Sequence, residues 1–217
     1  MATDWYRNKT WDTNTLTDFE SRLKRARGTF HKAQYLKIQG LELLDTTDFE
    51  TQEIGVKLLL RVIREYSMEE MEVIQSHEAL GYYYLEIGNF EKAEFHLRIV
   101  VERYNNKTRN GTSWMADLKL AEVILKTNQP GKLDEAHNYV SNFPLNGLSF
   151  NNQRFYHSEL AAILCEKMNK KSEAKEYATK ALEYSKITTP DFARHKTLGL
   201  VKVTDEQIKR LKKIAGR

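Results

Sequence analysis

Proline and cysteine are nearly absent from this sequence. Its 217 residues include 3 prolines, 10 glycines and 1 cysteine. Proline and glycine are the residues a helix interior tolerates worst, so their scarcity leaves most of the chain open to helices. The lone Cys165 excludes an intramolecular disulfide and fits a reducing compartment. No apolar run approaches the roughly 20 residues that span a bilayer. The first residues, Met-Ala-Thr-Asp-Trp-Tyr-Arg, lack the apolar stretch of a secretory signal. The expectation is a cytoplasmic chain with no membrane partner. A strong charge of one sign is missing too: 34 basic and 30 acidic residues leave a net +4. With opposite charges interspersed, that balance argues little for nucleic acid. What is present is ordinary for a folded domain, 41% apolar and 29% charged residues, in a chain long enough to bury a core.

An internal repeat organises the chain. His77, Leu80, Gly81 and Tyr84 share one helical stripe, and Gly88-Asn89-Phe90 reads as a helix stop and turn. Ala93, Leu97, Val100 and Val101 then form the stripe of a second helix. The pattern returns at Ala161-Ala162 and Cys165, with Asn169 in place of Gly88 and Ala174, Ala178, Ala181 and Leu182 following. Leu120-Ala121 and Ile124 start another unit, continued by Leu133, Ala136 and Val140. Upstream, Leu36, Gly40 and Leu43 lead into Gly55, Leu59, Val62 and Ile63. The small residues Gly40, Gly81, Ala121 and Ala162 stand 41, 40 and 41 residues apart. Two helices per period of about forty describe an α-solenoid, in which each hairpin leaves an apolar face for its neighbour to cover.

Residues 77–106 resemble a tetratricopeptide (TPR) repeat, through Leu80-Gly81-x-x-Tyr84, Gly88-Asn89-Phe90 and Ala93. Residues 158–185 resemble a second, through Ala161-Ala162, Asn169, Ala174 and Ala181-Leu182, and 33–66 and 114–143 resemble degenerate copies. His77 stands where the family has tryptophan and Asn105 where it has the closing proline. Two hairpin turns are lengthened, at 45–49 and 127–132. The resemblance implies an all-α, right-handed solenoid of four TPR-like hairpins, at 33–66, 74–107, 114–143 and 155–188. A capping helix over 14–32 would precede them and a helical tail over 189–217 would follow. It also implies a non-enzymatic adaptor that holds a protein or peptide in its concave groove.

The ends read as caps. Thr13, Asn14 and Thr15 offer helix N-caps, and Leu16, Phe19, Leu23, Ala26, Phe30 and Ala33 follow steps of three and four, with Gly28 a point of interruption. Trp5 and Trp11 are expected to pack over the open end of the stack, with exposure to a ligand as the alternative. Phe192, Ala193, His195 and Leu198 suggest a short helix, and Thr204-Asp-Glu-Gln207 reads as a capping box for a last helix.

Chemistry finds little foothold. The six histidines include no HExxH pair, Cys165 has no partner cysteine, and neither a nucleophile elbow nor a phosphate loop occurs. No catalytic residue, metal or cofactor is expected. Arg22, Lys24, Arg25 and Arg27 form a basic cluster whose alternative reading is phosphate contact.

The candidate groove follows from the family's use of first helices. Beside the core stripe run Gln75, Glu78, Tyr82 and Glu86. Their counterparts are Lys37 and Leu41 in the first hairpin, Leu118 and Glu122 in the third, and Tyr156, Glu159 and Ile163 in the fourth. Leu41 and Ala79 occupy places where a carboxylate clamp would need asparagines. Glu78 and Glu159 would repel an acidic peptide end. The expected partner is therefore basic and apolar, not a chaperone C-terminal carboxylate.

Overall fold

A computed structural model describes residues 4–106, 108–145, 150–191, 194–195 and 197–216. They form ten α-helices and, among the described residues, no strand. The helices are α1 (Thr13–Arg25), α2 (Thr29–Leu44), α3 (Phe49–Glu65), α4 (Glu70–Glu86), α5 (Phe90–Asn106), α6 (Ala116–Lys126), α7 (Leu133–Ser141), α8 (Asn151–Lys167), α9 (Lys171–Tyr184) and α10 (Asp205–Ala215). The chain divides into two compact units, Met1–Ala116 and Asp117–Arg217.

In the first unit α2 packs on α3, α4 on α5, and α3 on α4. The small residues sit where helices cross. A methyl group on Gly40 would lie 2.9 Å from Leu59 Cγ, and one on Gly55 would lie 2.8 Å from the Gly40 carbonyl oxygen. One on Gly81 would come within 2.8 Å of Leu97 Cγ. The expected capping helix over 14–32 is broken. Asp12, not a threonine, caps α1 by accepting from Thr15 N at 2.7 Å, and Gly28 at φ 77° turns the chain into α2. Phe19 and Leu23 of α1 join Ala33, Leu36, Leu43, Leu58 and Val62 in one core. Trp5 and Trp11 pack on it, 5.3 and 5.2 Å from the Phe19 ring, and Tyr6 stacks on Tyr35 at 4.6 Å. The segment is pinned by Gln39. This fully buried amide accepts from Asn8 N at 2.9 Å and donates to Asn8 O at 2.7 Å. The two tryptophans therefore serve packing.

In the second unit α7 packs on α8, α8 on α9, and α10 on both α8 and α9. Its core joins Phe155, Ala162, Ala178, Ala181, Leu182, Leu211 and Ala215. The lengthened turn at 127–132 contains a short 3₁₀ turn, Pro130–Lys132, before α7. Three first helices end alike. Gly88, Asn128 and Asn169 take positive φ of 76°, 51° and 59°. In each case the next amide reaches back five residues, to the carbonyls of Tyr84 (2.8 Å), Ile124 (3.3 Å) and Cys165 (2.8 Å). Glycine and asparagine are the residues that bear this left-handed stop, so the repeat is written in backbone geometry as well as in side chains. Thr204 caps α10 as the sequence indicates, with Gln207 N donating to Thr204 Oγ1 at 3.2 Å and Gln207 Oε1 accepting from Thr204 N at 2.9 Å. Of the short helix expected near 192–198, Phe192, Ala193 and Lys196 lie outside the described residues, and the described ones are not helical.

Candidate functional site

The first-helix stripes place their residues in two different environments. On α2 and α4, Lys37 pairs with the buried Glu72 at 2.6 Å and also donates to Gln75. Gln75 donates in turn to the Gly111 carbonyl at 2.5 Å. Glu78 is only 8% exposed. Both its oxygens accept from Ser113 N at 3.0 Å, and Oε1 accepts from Ser113 Oγ at 2.8 Å. Burial pushes the Glu78 carboxyl above its usual range, against the opposing pull of those bonds. Tyr82 meets Ser113 Oγ at 2.5 Å, and Tyr104 meets Thr112 Oγ1 at 2.8 Å.

The segment 108–115 therefore lies along Gln75, Glu78 and Tyr82. The sequence treats these three as open groove wall; the structure engages them with the chain itself. Leu41 and Glu86 stay exposed. Nothing in the sequence marks Ser113 or Thr112 as partners, because their role depends on where the loop folds.

The second unit gathers most of its stripe around one cavity. Leu118 is fully buried, so it belongs to the core and cannot line a surface. Glu122, Tyr156, Glu159 and Ile163 do come together. With Leu125, Lys126 and Leu160 they line a cavity of about 390 Å³, whose remaining wall is Gln207 and Arg210 of α10. Glu122 accepts from Tyr156 Oη at 2.5 Å and pairs with Lys126 at 3.0 Å and Lys119 at 3.1 Å. Burial works to raise the Glu122 carboxyl, but the charge of Lys119 and the bonds from Tyr156, Lys126 and Lys119 outweigh it and hold the group below its usual range. Lys119 also lies over the Tyr156 ring at 4.2 Å. Glu159, 7% exposed, accepts from Gln207 Nε2 at 2.9 and 3.0 Å and pairs with Arg210 at 2.7 Å. Both carboxylates thus have cations or donors of their own, and the acidic character inferred from sequence is largely offset within the chain.

His77, His96 and His157 fill structural places. His77 and His96 face each other across α4 and α5, with Nδ1 atoms 2.8 Å apart. Burial lowers both to about 4, so both are neutral at pH 7 and one donates to the other. His157 Nε2 donates to the Val140 carbonyl at 2.8 Å. Burial raises the Cys165 thiol to about 11, which keeps it protonated and a poor nucleophile. Arg22, Lys24 and Arg25 lie in the last turn of α1, where cations favour the C-terminal dipole, and Arg22 pairs with Asp18 at 2.9 Å.

Compared with protein-family models, curated proteins and solved structures, the chain matches none. The likeness to tetratricopeptide repeats rests on the residues quoted above. No helix among the described residues is long and apolar enough to cross a membrane.

Proposed function

We propose that the chain is a non-enzymatic binding module, a right-handed solenoid of TPR-like hairpins that holds a protein or peptide segment. One observation carries the reading. Four residues singled out by repeat position alone, Glu122, Tyr156, Glu159 and Ile163, line one cavity in the second unit. Its apolar side chains, Leu125, Leu160 and Ile163, would take an apolar side chain of the partner. A basic group of the partner would exchange with Lys126 or Arg210 for a carboxylate. Both of those cations are 48% exposed at the side chain and have room to swing aside. Apolar contact would supply most of the affinity, because replacing one ion pair by another gains little. Arg22, Lys24 and Arg25 suit the C-terminal dipole of α1, which favours this reading over contact with nucleic acid.

A peptide library displayed on phage and selected on the immobilised chain tests this. The expected result is enrichment of apolar sequences carrying lysine or arginine, with affinity falling at least tenfold in Ile163→Asp. Retained affinity in that variant, or selection yielding no binder, would overturn the reading.

A further inference from the structure

One cluster of side chains in the second unit lies apart from the cavity. His137 on α7, Cys165 on α8 and Glu173 on α9 converge from three successive helices, with their ligand atoms all within 4.8 Å of one another. His137 Nε2 lies 3.3 Å from Glu173 Oε2, and Cys165 Sγ lies 4.0 Å from the same oxygen. We propose that these three side chains bind a divalent cation of the zinc class.

The geometry is close to what such an ion requires. Zinc bonds of about 2.0 Å to nitrogen and oxygen and 2.3 Å to sulfur set tetrahedral ligand atoms roughly 3.3–3.7 Å apart. The observed separations need only small rotamer shifts to reach that range. The donor chemistry is selective. A thiolate, an imidazole and one carboxylate suit a borderline-soft ion, whereas magnesium and calcium prefer all-oxygen sets. Coordination would deprotonate the thiol outright. Three protein ligands leave the fourth position to water.

Two neighbours complete the site. Ser141 Oγ lies 3.3 Å from His137 Nδ1. With Nε2 on the metal, the Nδ1 proton has an acceptor there, and an outer hydrogen bond of this kind fixes the ring's tautomer and orientation. Lys170 Nζ stands 3.0 Å from His137 Nε2, so the position already attracts positive charge. The ammonium is the competitor that an incoming dication must displace. Sequence spacing conceals the site, because the three ligands are 28 and 8 residues apart and meet only through helix packing.

Titration of tag-free protein with Co²⁺ tests the proposal, since Cys165 is the sole cysteine and any thiolate-to-cobalt absorption must come from it. One equivalent should develop that band at micromolar protein, and Zn²⁺ should abolish it. Cys165→Ser should lose the band, Glu173→Gln should weaken binding at least tenfold, and Lys170→Ala should tighten it several-fold. Glu173 is exposed, so its variant remains informative if a substitution at Cys165 disturbs folding. Absence of the band in wild type, or Zn²⁺ affinity unchanged by Glu173→Gln, would overturn the site.

Discussion

Glu78 and Glu159 stand 81 residues apart, as do Gly81 and Ala162, and they hold the same repeat position in the two units. Both are buried carboxylates, and each binds the segment that follows its hairpin. In the first unit that segment is the loop bearing Ser113; in the second it is α10, through Gln207 and Arg210. The repeat sets where the carboxylate sits. The non-repeating segment decides what it holds. The bonding differs accordingly: backbone and hydroxyl donors meet Glu78, whereas a long amide and a half-exposed guanidinium meet Glu159.

The largest expected effect tests this difference. Glu78→Ala removes the buried carboxylate that accepts from both Ser113 N and Ser113 Oγ, and hydrogen bonds to a charged group contribute about 1.5–3 kcal/mol. A loss of roughly 3 kcal/mol in urea unfolding is expected. Glu159→Ala leaves donors that can turn to water, so about 1 kcal/mol is expected. Hydrogen exchange should quicken at Ser113 in the first variant and along α10 in the second. Equal losses would break the comparison.

The helix crossings differ next. The first unit places glycine at them, and the second uses Ala162, Ala178 and Ala181. Gly55→Ala would press a methyl against the Gly40 carbonyl. Overpacking of this kind costs about 1–3 kcal/mol, offset by up to about 1 kcal/mol of helix propensity. A net loss near 2 kcal/mol is expected by denaturation. The reverse change, Ala178→Gly, should cost about 1 kcal/mol through propensity alone, with a little more for the lost methyl. If Gly55→Ala stabilises, the crossing is looser than the contacts indicate.

Acid should act on the His77–His96 pair. Their folded pKa values, about 4, lie below the unfolded value of 6.5, so the unfolded chain binds more protons between those limits. Stability should be constant above pH 6.5 and fall as the pH drops towards 4. In His96→Phe one proton fewer is taken up, and the slope against pH should be smaller. A slope unchanged in that variant would assign the acid sensitivity elsewhere.

The smallest effect is expected on α1. Neutralising Arg22, Lys24, Arg25 and Arg27 removes exposed charges whose dipole and pair contributions are a few tenths of a kcal/mol each. The midpoint of urea unfolding should move by under about 1 kcal/mol equivalent, by those magnitudes.

Residues that act through period and local backbone were legible in the sequence. The turn at Gly88 and its echo at Asn169 follow from spacing, and the Thr204–Gln207 capping box follows from a local motif. Asn128 takes the same left-handed stop, but the lengthened turn around it hides the register. Residues that act through distant chain were not legible. Tyr82 and Glu78 read as groove wall because a helical wheel cannot show that segment 108–115 returns to them. Leu118 read as surface too, yet it is fully buried. At Gly28 the apolar steps continue but the backbone, at φ 77°, does not: the interruption that glycine suggests separates α1 from α2, although the full span 14–32 is not one helix.

All three tryptophans, Trp5, Trp11 and Trp114, fall in the first unit. Indole emission is therefore an optical label on one half of the molecule, while far-ultraviolet dichroism weighs both halves by their helix content. Melting the protein under both probes asks whether the halves come apart together. Coincident curves would mean one cooperative transition, and separated curves would time the second unit by difference, without a single engineered reporter.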